Sequence, residues 1–129
     1  MSEQFIYWME LADYDMETAR AMQNSGRFLY VGFMCQQTIE KALKAVIAKD
    51  SVQPPRTHHL IKLASDAALF EEMSEQQQDL LFLLNPLNVE ARYQSYKDAV
   101  AAGLNEAKCA ELIGETEVLL CWIKTQSQS

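Results

Sequence analysis

The chain is poor in residues that break or staple a fold. Three prolines and four glycines in 129 residues leave long stretches free of helix breakers. No period-two alternation bounded by turn dipeptides is present, so strands are not expected. The three cysteines, Cys35, Cys109 and Cys121, are an odd number set far apart inside helical patterns. They read as small reduced core residues of a cytosolic protein, not as a disulfide framework. The two histidines, His58 and His59, are adjacent, which is not metal-ligand spacing, and no metal or cofactor is expected. Basic residues are scarce, 11 against 18 acidic, for a formal charge of -7. Such a field repels a polyanion at a distance and confines any RNA contact to a local basic spot. No apolar run approaches the roughly 18 residues needed to span a bilayer, and Glu3, Glu10, Asp13, Asp15 and Glu17 argue against a signal peptide. The expected location is therefore the cytoplasm, with no membrane partner. Missing too are a nucleophile elbow, a Walker loop, a dinucleotide fingerprint, H-E-x-x-H and C-x-x-C.

What is present is ordinary globular composition, 49% hydrophobic and 22% charged, enough for one domain with its own core. Residues 1–124 are expected to form it, with 125–129 a polar tail that frays. Residues 3–24 read as a first helix, closed by Asn24, Ser25 and Gly26, the glycine suited to a left-handed cap. A second helix over 27–49 must turn straight back against it. Residues 50–57, stiffened by Pro54 and Pro55, form a loop that delivers His58 and His59 to a fixed place. Thr57 is the expected N-cap of a short helix through Leu60, Leu63, Ala64, Ala67 and Ala68. Ser74 with Gln77 spells a capping box for the next helix, which is expected to kink at Pro86 and continue toward Ala91. The last helix spans about 105–124. Together these give an all-α, up-and-down antiparallel four-helix bundle with one short extra helix. Phe28, Leu29, Tyr30, Val31 and Trp122 exceed what one small bundle needs, so a symmetric homodimer is expected.

The stretch with most to say is FMCQQTIEKALKAVIA, residues 33–48. Gln37, Glu40 and Lys44 stack at helical spacing beside an apolar row of Cys35, Ile39, Leu43 and Val46. Glu40 and Lys44 alone make an unremarkable helix-surface pair, worth roughly 0.2 to 0.5 kcal/mol if exposed. Other segments, however, offer polar residues to face them. Asp15 lies on a first-helix stripe with Trp8, Ala12, Ala19 and Met22. It is either a half-buried acid that needs a donor, or a sign that the buried stripe runs through Leu11 and Met16. His58 is either a loop histidine that tidies backbone carbonyls or a ligand or acid-base group. Arg92, Tyr93 and Tyr96 cluster farther on.

Read together, W-x3-A-x2-D at Trp8, Ala12 and Asp15, QQTIEKALKA from Gln36, PPRTHHLIKL from Pro54 and ARY from Ala91 resemble the HEPN family, the higher eukaryote and prokaryote nucleotide-binding domains. The resemblance covers most of the chain. It implies a homodimeric bundle with a ligand-binding cleft, here Asp15, Gln37, Glu40, Lys44, His58, Arg92 and Tyr93. In that cleft Lys44 is expected to satisfy Glu40 or Asp15, and Arg92 to offer a cation to phosphate.

Members that cut RNA resemble metal-independent ribonucleases carrying an arginine followed, after four to six intervening residues, by a histidine. The positions counted from Arg92 are Lys97, Asp98 and Ala99, so that reading leaves a degenerate ribonuclease toxin without its acid-base residue. The other branch looks like the small helical partner of a separate minimal nucleotidyltransferase. In related toxin–antitoxin pairs a tyrosine near the arginine accepts nucleotidyl groups, which marks Tyr93 and Tyr96 for modification. The chain lacks a Gly-Ser pair followed by Asp-x-Asp and is not itself the transferase half. A binding or partner subunit is the expected function, with the ribonuclease toxin or a free-standing nucleotide-binding homodimer as alternatives.

Overall fold

The computed structural model describes residues 2–88 and 103–127. They form α1 (Glu3–Asn24), α2 (Phe28–Ala48), α3 (Leu60–Asp66), a single 3-10 turn (Phe70–Glu72), α4 (Glu75–Leu84) and α5 (Glu106–Ser127). The architecture is an all-α bundle, with no strand among the described residues. Ser2 starts α1 by accepting the Phe5 N–H on its hydroxyl, and the same hydroxyl donates to the Ala48 carbonyl at the far end of α2. That bond ties down the open end of the α1–α2 hairpin. At its closed end Gly26 sits at φ 76°, while the Arg27 N–H reaches back to the Met22 carbonyl at 2.8 Å. This is the six-to-one closure that a left-handed glycine permits.

α2 lies at the centre, in contact with every other α-helix among the described residues. Its residues Val31, Cys35, Ile39, Ala42 and Leu43 are fully buried and share one core with Phe5, Met9, Ala12, Met16 and Ala19 of α1. Alanines 12, 19, 42 and 45 are all at zero exposure, so the two backbones approach closely. Leu63, Leu81, Leu84, Leu119 and Ile123 close the other side. Gly32 has a packing role, since a β-carbon there would meet Leu87 at 3.1 Å and Leu104 at 3.2 Å.

Several expected details differ. α3 is capped by His59, not Thr57: His59 Nδ1 accepts the Lys62 N–H, and Thr57 Oγ1 accepts the His59 N–H. α3 also stops at Asp66 rather than running through Ala68, which turns left-handed at φ 60°. α4 ends at Leu84 instead of bending through Pro86; Asn85 caps it with its N–H on the Leu81 carbonyl, while its side-chain oxygen accepts the Leu60 N–H at 2.8 Å. The remaining path toward Ala91 lies outside the described residues. α5 runs on past Lys124 to Ser127, whose side chain is buried, so 125–127 continue the helix. Cys35 and Cys109 are core residues, but Cys121 is exposed. Burial pushes the Cys35 thiol up to about 12, which keeps it protonated.

Val31 is buried, and Phe28 and Trp122 pack against the core. They therefore no longer count as surplus surface. Among the described residues the large exposed apolar groups are Ile6, Tyr7, Tyr14, Tyr30, Val52, Phe82, Leu83 and Val118, with Tyr30 alone shared with the expected set. Among the described residues, no helix is long and apolar enough to cross a membrane.

Candidate functional site

The polar line of α2 faces other polar side chains, as the family resemblance implied. Glu40 is only 2% exposed and its two oxygens have separate duties. Oε2 accepts from Lys44 Nζ at 3.1 Å, while Oε1 takes Gln36 Nε2 at 3.3 Å and His58 Nδ1 at 2.8 Å. A carboxylate removed from water needs such donors, because an unpaired buried charge is strongly unfavourable. Lys44, itself 9% exposed, also lies 5.5 Å from the centre of the Trp8 ring. Its charge is thus shared between a carboxylate and an aromatic face.

The cluster continues sideways through two amides. Gln36 Oε1 accepts from Gln37 Nε2 at 2.8 Å, and Gln37 Oε1 accepts from Lys41 Nζ at 2.7 Å. Gln36 Nε2 also donates to the His58 carbonyl at 3.0 Å. Every amide orientation is set by its neighbours, and the donors point one way, from Lys41 through both glutamines to Glu40. Lys41 finally stands 3.5 Å from Asp15 on α1, both being less than a fifth exposed. Burial raises the Asp15 carboxyl above its ordinary value of 3.8, with Lys41 opposing that shift.

Asp15, Gln37, Glu40, Lys44 and His58 therefore join one network. Asp15 is the half-buried acid, yet the buried stripe of α1 runs beside it through Met16 as well. The donor to Asp15 is Lys41 rather than Lys44. Lys41 and Gln36 are the members that sequence reasoning missed. Their signal was there, as Gln36–Glu40 and Gln37–Lys41 both have the four-residue spacing of facing helix side chains. Arg92, Tyr93 and Tyr96 lie outside the described residues.

The fold and this cluster define a class, a helical bundle with a charged network enclosed between its first two helices and a histidine loop. A family model for the HEPN domain matches residues 6–126, and the chain belongs to that family. Its fold is similar to the crystal structure of TT1696 from Thermus thermophilus, with a TM-score of 0.80 and 19% identity over 96% of this chain and 98% of that one. It is also similar to ST0689, an archaeal HEPN homologue, with a TM-score of 0.72 and 20% identity over 98% and 99% of the two chains. No curated protein matches it.

Proposed function

We propose that the chain is a HEPN binding subunit, a homodimer that acts with a separate minimal nucleotidyltransferase on nucleotide or RNA. The observation that carries this reading is the saturation of the charged cluster. Glu40 is already held by Lys44, Gln36 and His58, and Asp15 by Lys41. With Glu40 and Asp15 so paired, neither carboxylate stands free as an acid or base, and the cluster serves to hold a surface in shape. The sequence adds that Lys97, Asp98 and Ala99 stand where RNA-cutting members carry histidine, and lysine, with an ordinary pKa of ~10.4, is a poor proton shuttle near neutrality. The exposed Tyr7, Tyr14, Phe82, Leu83 and Val118 supply apolar surface for a second copy or a partner.

The test is the native mass of untagged protein isolated gently from its own source, with any accompanying chain identified. A stable complex with a nucleotidyltransferase-like chain supports the reading and makes Arg92, Tyr93 and Tyr96 the residues to examine for nucleotide binding and transfer. A bare homodimer under low salt counts against the transferase partner. RNA cleavage that disappears in Arg92→Ala would move the assignment to the ribonuclease alternative.

A further inference from the structure

We propose that His58 is a nucleophile toward electrophilic phosphorus, a phosphate-accepting histidine whose reactive atom is Nε2. The inference rests on how two adjacent histidines are held, and it stands apart from the partner reading. His58 Nδ1 lies 2.8 Å from the Glu40 carboxylate, a group that only accepts. Nδ1 must therefore carry a hydrogen, and in the neutral ring the lone pair is on Nε2. His59 is arranged the opposite way. Its Nδ1 accepts the Lys62 N–H at 3.3 Å, so its hydrogen resides on Nε2 and no lone pair faces outward.

The His58 ring is held but not covered. Its side chain is 49% exposed, and Nε2 has no hydrogen-bond partner among the described residues. Gln36 pins its carbonyl, Thr57 pins the following N–H, and Pro54 is buried beneath the loop. Cations also flank the ring in sequence, beside the Glu40 carboxylate that it touches and the Asp66 that pairs with Lys62. Between Asp50 and Asp66 there is no acidic residue, while Arg56 and Lys62 flank the pair. In a chain of net charge -7 Arg56 and Lys62 are the cations close to the pair in sequence, Lys62 becoming available to an anion by giving up its exposed pair with Asp66.

With a nucleoside triphosphate as donor, the Nε2 lone pair attacks phosphorus and an N–P bond forms. The P–O anhydride bond breaks, and its electron pair leaves on the departing phosphate oxygen. The Nδ1 hydrogen stays on the ring, and Glu40 balances the positive charge that develops there. Attack at the terminal phosphorus leaves a phosphoryl group, and attack at the innermost leaves a nucleotidyl group, which mass distinguishes.

Two measurements on the intact chain decide the matter. Long-range nitrogen–proton correlation at mildly alkaline pH should show His58 protonated on Nδ1 and His59 on Nε2. Potassium phosphoramidate, which supplies electrophilic phosphorus without an enzyme, should label His58 several-fold faster than His59, as mapped by peptide mass. His59→Asn, which keeps a capping side chain, should leave the His58 label unchanged. Equal labelling of the two histidines, or a hydrogen found on Nε2 of His58, overturns the proposal.

Discussion

Glu40 is the side chain whose loss should be felt most, because three donors converge on it in a place water barely reaches. Removing one partner of a buried ion pair leaves the other uncompensated, at roughly 3 to 5 kcal/mol. Glu40→Ala is expected to lose that much stability by urea denaturation, whereas Glu40→Gln combined with Lys44→Met should recover most of it. If the single and double variants fall equally, the pair is not what Glu40 supports. Asp15 makes a second prediction, with a sign fixed by burial. Its folded-state carboxyl lies above the ordinary 3.8, so the folded chain holds the proton more tightly than the unfolded one. The resulting stability is complete below that value and is lost as pH rises through the raised folded value. Asp15→Asn, which does not titrate, should therefore gain on wild type across that window as pH increases. A flat or falling difference in urea midpoints would mean that Lys41 outweighs burial.

Between elements, the junctions decide where helices begin and end, and they divide by whether a side chain announces them. Gly26 and the Ser74–Gln77 box were legible because each junction depends on a residue type that favours it, and both form as expected. Ser74→Ala should lower stability by about 1 kcal/mol through the lost N-cap. The ends of α3 were not legible. An imidazole caps its start, Asn85 from another helix satisfies its first N–H, and an alanine adopts the left-handed turn at its end. None of those carries a local signal, since long-range geometry imposes them. The left-handed conformation costs an L-residue roughly 1 to 2 kcal/mol, and Ala68 is exposed, so nothing there requires a side chain. Ala68→Gly is expected to raise stability by about 0.5 to 1 kcal/mol, less than the full strain because glycine loses more freedom on folding. A lowered melting midpoint would show that the turn is held without strain. The polar cluster follows the same division. Its α2 members shared a readable spacing, while the pairing of Asp15 with Lys41 and of Glu40 with His58 depends on how α1 and the proline loop pack, which periodicity along one helix does not encode.

For the molecule as a whole, charge sets what RNA can do here. The formal charge of -7 opposes a phosphate backbone everywhere except near local cations. Lys41 and Lys44 are engaged inside the bundle, and Lys124 is paired with Asp13 on the surface. Lys62 has Asp66 beside it at 3.0 Å, an exposed pair weak enough to be given up to a phosphate. Arg56 and Lys62 therefore remain as the cations of the histidine loop, so a single strand meeting this face should displace the counterions of only about two phosphates. For single strands each such contact contributes about 0.7 to the slope of log affinity against log salt. Fluorescence anisotropy with a short unstructured RNA should thus give weak binding with a slope of about -1 to -2, reduced further by Arg56→Ala. A slope several times steeper would require a broad basic face. With this composition such a face would have to come from a second chain, and repeating the titration on protein of established native mass would locate it there.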